Sequence, residues 1–95
     1  MTNLTEQNFL AETQGVSMPI LIEFSSKSGL PDDLTQAYQN QCKFCHVDVD
    51  AQAAFAGQFD LLHLPTSILM HNGEVLQRIS GNHTSEEWKK ILNLD

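Results

Sequence analysis

Residues 18–24, "MPILIEF", are the feature that most limits how this 95-residue chain can fold. The run is apolar except for Glu23. Its length and its β-branched content favour a strand that is buried on both faces of a sheet. Such a strand needs a layer of helix on each side of the sheet, so the segments around it must supply helices.

The rest of the chain supplies these helices, together with further strands. Apolar residues at helical spacing predict a first helix within residues 3–15 that ends at Gly15, a residue suited to the position after a helix. Turn-forming residues then separate a series of shorter periodic segments. In chain order these predict a loop at 25–33, a short helix at 32–41, a strand at 42–50, a helix at 51–59, strands at 66–71 and 75–80, and a helix at 83–94.

Two local signals define the second half of the chain. Asn72-Gly73 lies between the last two strands, and Asn-Gly is the strongest short signal for a β-hairpin. Thr84 and Glu87 have the spacing of a capping box at the start of the last helix. The predicted order is α-β-α-β-α-β-β-α, with room for a small strand before the first helix. This order predicts an α/β fold in which a central mixed sheet has helices on both faces.

Composition and charge predict one globular domain over residues 1–95. The chain is 41% hydrophobic and 18% charged, and it contains no internal repeats or linkers. Its net charge of −7, from 12 acidic and 5 basic residues, disfavours nucleic acid and anionic membranes as partners. The N-terminal residues resemble no signal peptide, and no apolar run is long enough to span a membrane. We therefore expect a cytoplasmic protein.

The segment "CKFCH", residues 42–46, fits three kinds of chemistry: c-type haem attachment, thiol–disulfide exchange and zinc binding. Haem is normally attached outside the cytoplasm, and His63, His71 and His83 have no zinc-finger spacing to the two cysteines. Within a regular strand, Cys42 and Cys45 would lie roughly 10 Å apart on opposite faces, too far for a disulfide. The sequence therefore favours two buried thiols and predicts no metal or cofactor, although a turn at Cys42 would allow the pair to close.

The ordered set of motifs resembles the thioredoxin family over nearly the whole chain. "PILIEF" is similar to the family's central strand, and residues 47–81, "VDVDAQAAFAGQFDLLHLPTSILMHNGEVLQRISG", are similar to its second half. The resemblance implies a thioredoxin-like fold in which the second helix is shortened. It also implies that Pro65 is the family's cis-proline.

The loop after Phe24 departs from the family pattern. Thioredoxins carry Trp-Cys-Gly-Pro-Cys there, and this chain has the run Ser28-Gly29-Leu30-Pro31-Asp32. Either Ser28 or Gly29 takes the place of the nucleophilic cysteine. Because a hydroxyl does not replace a thiolate in disulfide exchange, the resemblance predicts a protein with no catalytic residue, that is, not an enzyme. Residual oxidoreductase activity stays open.

The resemblance implies that the groove of the family is retained for binding a protein or a peptide, in an adaptor, assembly or chaperone-like role. The predicted groove residues are Ser28, Gly29, Leu30, Pro31, His63, Leu64, Pro65 and Gly81. Leu30 is expected to offer an apolar side chain to the partner, so that Leu30→Asp removes binding without unfolding the domain. Two alternatives stay open: an atypical redox protein that uses Cys42 and Cys45, and a structural module that associates with itself. The sequence predicts no oligomeric state.

Glu23 and His46 are predicted to form a buried polar pair. By the resemblance they align with a buried carboxylate in the central strand and a basic residue on the neighbouring strand. A carboxylate buried alone has a raised pKa, and a cationic neighbour offsets that effect. We therefore expect the two side chains to interact, as a polar core pair rather than as a catalytic base.

Overall fold

The computed structural model describes all residues, 1–95, as a five-stranded mixed sheet with helices on both faces. The spatial order of the strands is β1-β3-β2-β4-β5. β2 pairs in parallel with β3 and antiparallel with β4. The strands are β1 (Thr2–Asn3), β2 (Ile20–Ser25), β3 (Lys43–Asp48), β4 (Thr66–His71) and β5 (Glu74–Ser80). The helices are α1 (Phe9–Thr13), α2 (Asp32–Ala37), α3 (Ala53–Ala56), which a 3-10 turn Gly57–Phe59 extends, and α4 (Ser85–Ile91).

The central strand β2 is buried along its full length, as the apolar run predicts. Its alternate side chains belong to two separate cores because successive residues of a strand point to opposite faces. Ile22 and Phe24 join the core that α1 and α3 cover, and Leu21 joins the core that α2 and α4 cover. We call the first the α1/α3 core and the second the α2/α4 core.

The helices are shorter than the sequence predicts. α1 has five residues and follows a two-residue strand, and α2 ends at Ala37, where a turn leads to Cys42. A short helix in water gains little from its own backbone hydrogen bonds, so contacts with the sheet decide where it ends. None of the helices is long and apolar enough to cross a bilayer.

The local turn and capping signals hold in the structure. Asn72 and Gly73 both have positive φ, 52° and 81°, as a two-residue hairpin turn requires. Thr84 and Glu87 form the reciprocal capping box at the start of α4. These two features define the β4–β5 hairpin and the start of α4, whose Trp88 is buried in the α2/α4 core.

Candidate functional site

The two cysteines lie at the start of β3, on opposite faces of the sheet. Cys42 immediately precedes the strand and packs in the α2/α4 core, whereas Cys45 lies within the strand and packs in the α1/α3 core. Both are free thiols, and each is 1% exposed or less. In the resting fold the pair is therefore separated by the sheet itself, as the spacing within a strand predicts.

Burial suppresses the ionisation of both thiols. It raises the pKa of Cys42 to about 12, an effect that an N–H group of Leu21 partly offsets, and it raises the pKa of Cys45 to about 11. A thiolate is the species that attacks a disulfide. In the closed fold, at neutral pH, neither sulfur is a competent nucleophile.

The segment that carries the cysteines is nevertheless close to the surface. A cavity of about 340 Å³ between the N-terminus and α2 is bordered by Met1, Met18, Gln39 and Cys42. On its outer side β3 pairs only with β1, at Thr2↔Cys45 and the following position. Cys42 therefore lies at the edge of the sheet, in the connection that follows a six-residue helix.

A second set of candidate residues lies at the other end of the sheet. The Leu64–Pro65 peptide bond is cis, and the N–H of Gly81 donates to the carbonyl of Pro65 at 2.9 Å. A Cβ atom on Gly29 would clash with Oδ1 of Asn82, so the loop before α2 directly contacts the loop before α4. The structure thus brings Gly29, Pro65 and Gly81 to one end of the sheet.

The other predicted groove residues differ in exposure. Leu64 is 55% exposed and His63 is exposed beside it, whereas Leu30 is 7% exposed and packs in the α2/α4 core. Ser28 accepts a hydrogen bond from the N–H of Leu30, and Pro31 directly precedes α2. The expectation that Leu30 faces a partner is therefore wrong. Leu30→Asp would place a charge in the core.

Glu23 and His46 are neighbours in the parallel β2–β3 register, but they form no direct hydrogen bond or ion pair. Glu23 Oε2 accepts from the N–H of Gly29 at 2.8 Å, and Nε2 of His46 lies 2.9 Å from Oγ of Ser25. The predicted interaction between them is therefore replaced by two separate contacts. Glu23 holds the loop before α2, and Oε1 of Glu23 has no partner.

Two residues of this region escape the sequence analysis, Ser25 and Asn82. Ser25 lies two positions after Glu23 on β2, so strand alternation placed it on the same buried face. That signal was available in the sequence. Asn82 follows the last strand in an exposed loop, and its contact with Gly29 depends on the tertiary path of both loops. No local sequence pattern predicts such a contact.

The structure contains no group of three or more His, Cys, Asp or Glu side chains that are placed to hold a metal ion. The chemistry that the residues themselves offer is that of two thiols at C-x-x-C spacing, near one end of the sheet. The other end offers exposed apolar and backbone groups around Leu64.

Comparison with known proteins identifies the family. The family model described as Thioredoxin matches residues 1–93. The chain belongs to the thioredoxin family. It is 28% identical over 98 aligned positions to thioredoxin of Bacillus subtilis strain 168, an alignment that covers 94% of this chain and 91% of that protein. It is 23% identical over 86 positions to thioredoxin 1 of Synechococcus elongatus, covering 82% of this chain and 80% of that protein.

A third relative is much longer than this thioredoxin-family chain. The bifunctional thioredoxin reductase/thioredoxin of Mycobacterium leprae is 27% identical over 86 positions. The alignment covers 82% of this chain but only 19% of the longer protein. The similarity therefore extends to one fifth of that relative.

The family match corrects the expectation that the protein is not an enzyme. That expectation rested on the replacement of the family's cysteine motif by the run from Ser28 to Asp32. A thioredoxin-family match over residues 1–93, in a chain whose Cys42 and Cys45 have C-x-x-C spacing, instead points to a thiol–disulfide oxidoreductase. The prediction of a non-enzyme is therefore wrong.

Proposed function

We propose that this chain is an atypical thiol–disulfide redox protein whose reacting pair is Cys42 and Cys45. The observation that carries the proposal is a C-x-x-C pair in a thioredoxin-family chain, with Cys42 at the edge of the sheet and beside an open cavity. The same thiols are sealed and protonated in the closed fold. The reaction therefore begins with a local opening of the segment that carries them.

The edge position keeps the opening at Cys42 small, whereas exposure of Cys45 also breaks its pairing with β1 and β2. The segment begins at a turn in which the N–H of Cys42 donates to the carbonyl of Tyr38 at 3.1 Å. The outer neighbour β1 has only two residues, so Cys42 and Lys43 have no strand on that side. Local openings that break few backbone hydrogen bonds cost less free energy than unfolding of the whole domain. Once exposed, the two thiols regain an ordinary pKa and form thiolates.

The exchange itself follows the usual two steps. A thiolate of the opened pair attacks a disulfide of the substrate, forms a mixed disulfide and releases one substrate thiolate. The second thiolate of the pair then attacks the mixed disulfide and releases the other. In total the pair loses two protons and two electrons and forms one S–S bond, while the substrate disulfide becomes two thiols.

Oxidised glutathione tests this proposal. We expect the reduced protein, at pH 8 and without denaturant, to lose two hydrogen masses and to yield a peptide in which Cys42 is joined to Cys45. Cys42→Ser and Cys45→Ser should each accumulate a mixed disulfide with glutathione instead, because the second step is removed. The double variant is the matched control and should remain unmodified. If the native thiols react only at the rate of global unfolding, the proposal fails.

Peptide binding at the opposite end of the sheet is a second candidate function. The observation that favours it is a pair of exposed leucines, Leu62 at 89% and Leu64 at 55%, beside a cavity of about 230 Å³. β4 begins at Thr66, next to this patch, so the backbone of Leu64 lies just before the start of a strand. An extended apolar peptide would fit this combination of exposed backbone and leucine side chains.

Leu64→Asp is the variant that tests peptide binding. Because Leu64 is exposed, the substitution should leave the urea midpoint within the small range typical of surface changes. It should weaken binding of an extended apolar peptide, selected from a peptide array on the native protein, by at least about tenfold. Leu10→Asp, at a leucine on α1 that is 71% exposed, is the control. Equal affinity for the two variants would exclude this surface as the binding site.

A further inference from the structure

The opposite orientations of Cys42 and Cys45 make a disulfide between them incompatible with β3. Cys42 packs in the α2/α4 core and Cys45 packs in the α1/α3 core. Residues three apart in an extended segment lie roughly 10 Å apart between Cα atoms, whereas a disulfide requires less than about 7 Å. We propose that oxidation of this pair is a conformational switch that withdraws residues 42–45 from the sheet and that reduction restores β3. This inference rests on the redox function proposed above.

The withdrawal removes a defined set of sheet contacts. The N–H of Lys43 donates to the carbonyl of Pro19 at 2.8 Å, and this bond lies at the start of the β2–β3 ladder. The next register pairs are Leu21↔Phe44 and Ile22↔Cys45. These contacts require extended backbone at residues 43–45, and a four-residue disulfide loop replaces that backbone with a turn.

The withdrawal also removes contacts made by the N-terminal part of the chain. β1 pairs with nothing except β3, and one of its two register pairs is Thr2↔Cys45. Nζ of Lys43 donates to the carbonyl of Glu12 at 2.6 Å and lies 3.1 Å from its Oε1, so the same segment also anchors the end of α1. Oxidation therefore removes one of the two β1–β3 register pairs and the Lys43 contacts that hold the end of α1, whereas the antiparallel β2–β4–β5 part of the sheet keeps its own pairing.

The withdrawal also exposes apolar surface. Phe44 is a member of the α2/α4 core, and it lies between the two cysteines. A turn that joins Cys42 to Cys45 carries Phe44 out of that core. The oxidised form should then present an aromatic side chain and an unpaired edge of β2, which together are the features of a strand-accepting surface.

The fold favours the reduced state of the cysteine pair. The closed sheet is available only to the dithiol form, so folding stabilises the reduced pair relative to the disulfide. When a dithiol form is stabilised in this way, its disulfide oxidises other thiols more strongly. Reduction by a small dithiol, which itself becomes a cyclic disulfide, returns two protons and two electrons to the pair and allows β3 to re-form.

Amide hydrogen exchange of the reduced and the oxidised protein tests the switch. The protein is oxidised with glutathione disulfide, and the disulfide is mapped to Cys42 and Cys45 before exchange. We expect the amides of Lys43 and Cys45, which face β2, to exchange at least about a hundredfold faster in the oxidised form than in the reduced form. The amides of residues 67–70 in β4 should keep their protection. The double variant Cys42→Ser/Cys45→Ser, treated in the same way, should show no change.

A second readout uses the equilibrium with glutathione. The equilibrium constant for forming the disulfide should be at least about a hundredfold smaller in the native protein than in the chain unfolded in guanidinium chloride. Retained protection at Lys43 and Cys45 in a protein with a mapped disulfide would overturn the switch and leave the redox function intact. If no disulfide forms at all, the redox function fails and the switch fails with it.

Discussion

A thiol-specific disulfide reagent should react with Cys42 and Cys45 of the native protein at pH 7.5 about a thousandfold more slowly than with the unfolded chain. Two effects act in the same direction. Burial denies the reagent access to both sulfur atoms. It also raises the thiol pKa values to about 12 and about 11, so the reactive thiolate is scarce, whereas an unfolded thiol with a pKa near 8.5 is about one tenth ionised at this pH.

The pH dependence of the native rate identifies the reacting state. If the reagent attacks the closed fold, the rate should rise about tenfold per pH unit up to the raised pKa values, near pH 11. If it attacks a locally opened state, as we expect, the rate should level off near the ordinary thiol pKa, at about pH 8.5–9. The raised pKa values also make folding stability depend on pH. The neutral buried thiols favour the native state below about pH 9, and this stabilisation falls as the pH rises toward 11 and 12.

Urea then separates local from global opening. A reaction through a small opening at the start of β3 should depend only weakly on urea, because little surface is exposed, whereas a reaction through global unfolding follows the full denaturant slope. Cys42→Ser and Cys45→Ser, measured singly, assign the rate to each sulfur. Native labelling as fast as in denaturant would show that the thiols are not sealed, contrary to the packing of both side chains.

Local sequence signals predict the parts of the fold in which neighbouring residues decide the conformation. The Asn72-Gly73 turn and the Thr84–Glu87 capping box involve residues one to three positions apart, so the sequence contains the complete interaction. The buried strand β2 is equally predictable, because the length and the β-branched content of its apolar run favour a strand. The mixed sheet then follows from the order of elements.

Tertiary contacts determine the features that the sequence analysis misses. Leu30 follows a glycine in a polar loop, and nothing near it in sequence indicates that it turns into the α2/α4 core. Glu23 and His46 have the expected register, but Gly29 and Ser25 are the nearer partners in space. For the candidate site, the spacing of residues in a strand predicts that the two cysteines lie on opposite faces, as they do. The prediction of lost activity, which rested on the loop before α2, is contradicted by the family comparison.

Trp88→Ala should destabilise the domain by about 3–5 kcal/mol, because it removes the largest fully buried side chain from the α2/α4 core. For a domain of this size that corresponds to a loss of roughly 15–30 °C in Tm, measured by circular dichroism.

Trp88→Phe is the matched variant. Nε1 of Trp88 has no hydrogen-bond partner within the protein, so phenylalanine keeps an aromatic ring in the core and breaks no hydrogen bond between protein groups. Its cost should stay below about 2 kcal/mol. Equal losses for the two variants would mean that the indole N–H, and not the ring, anchors α4. In that case the core between α2 and α4 would depend on a polar contact at Nε1.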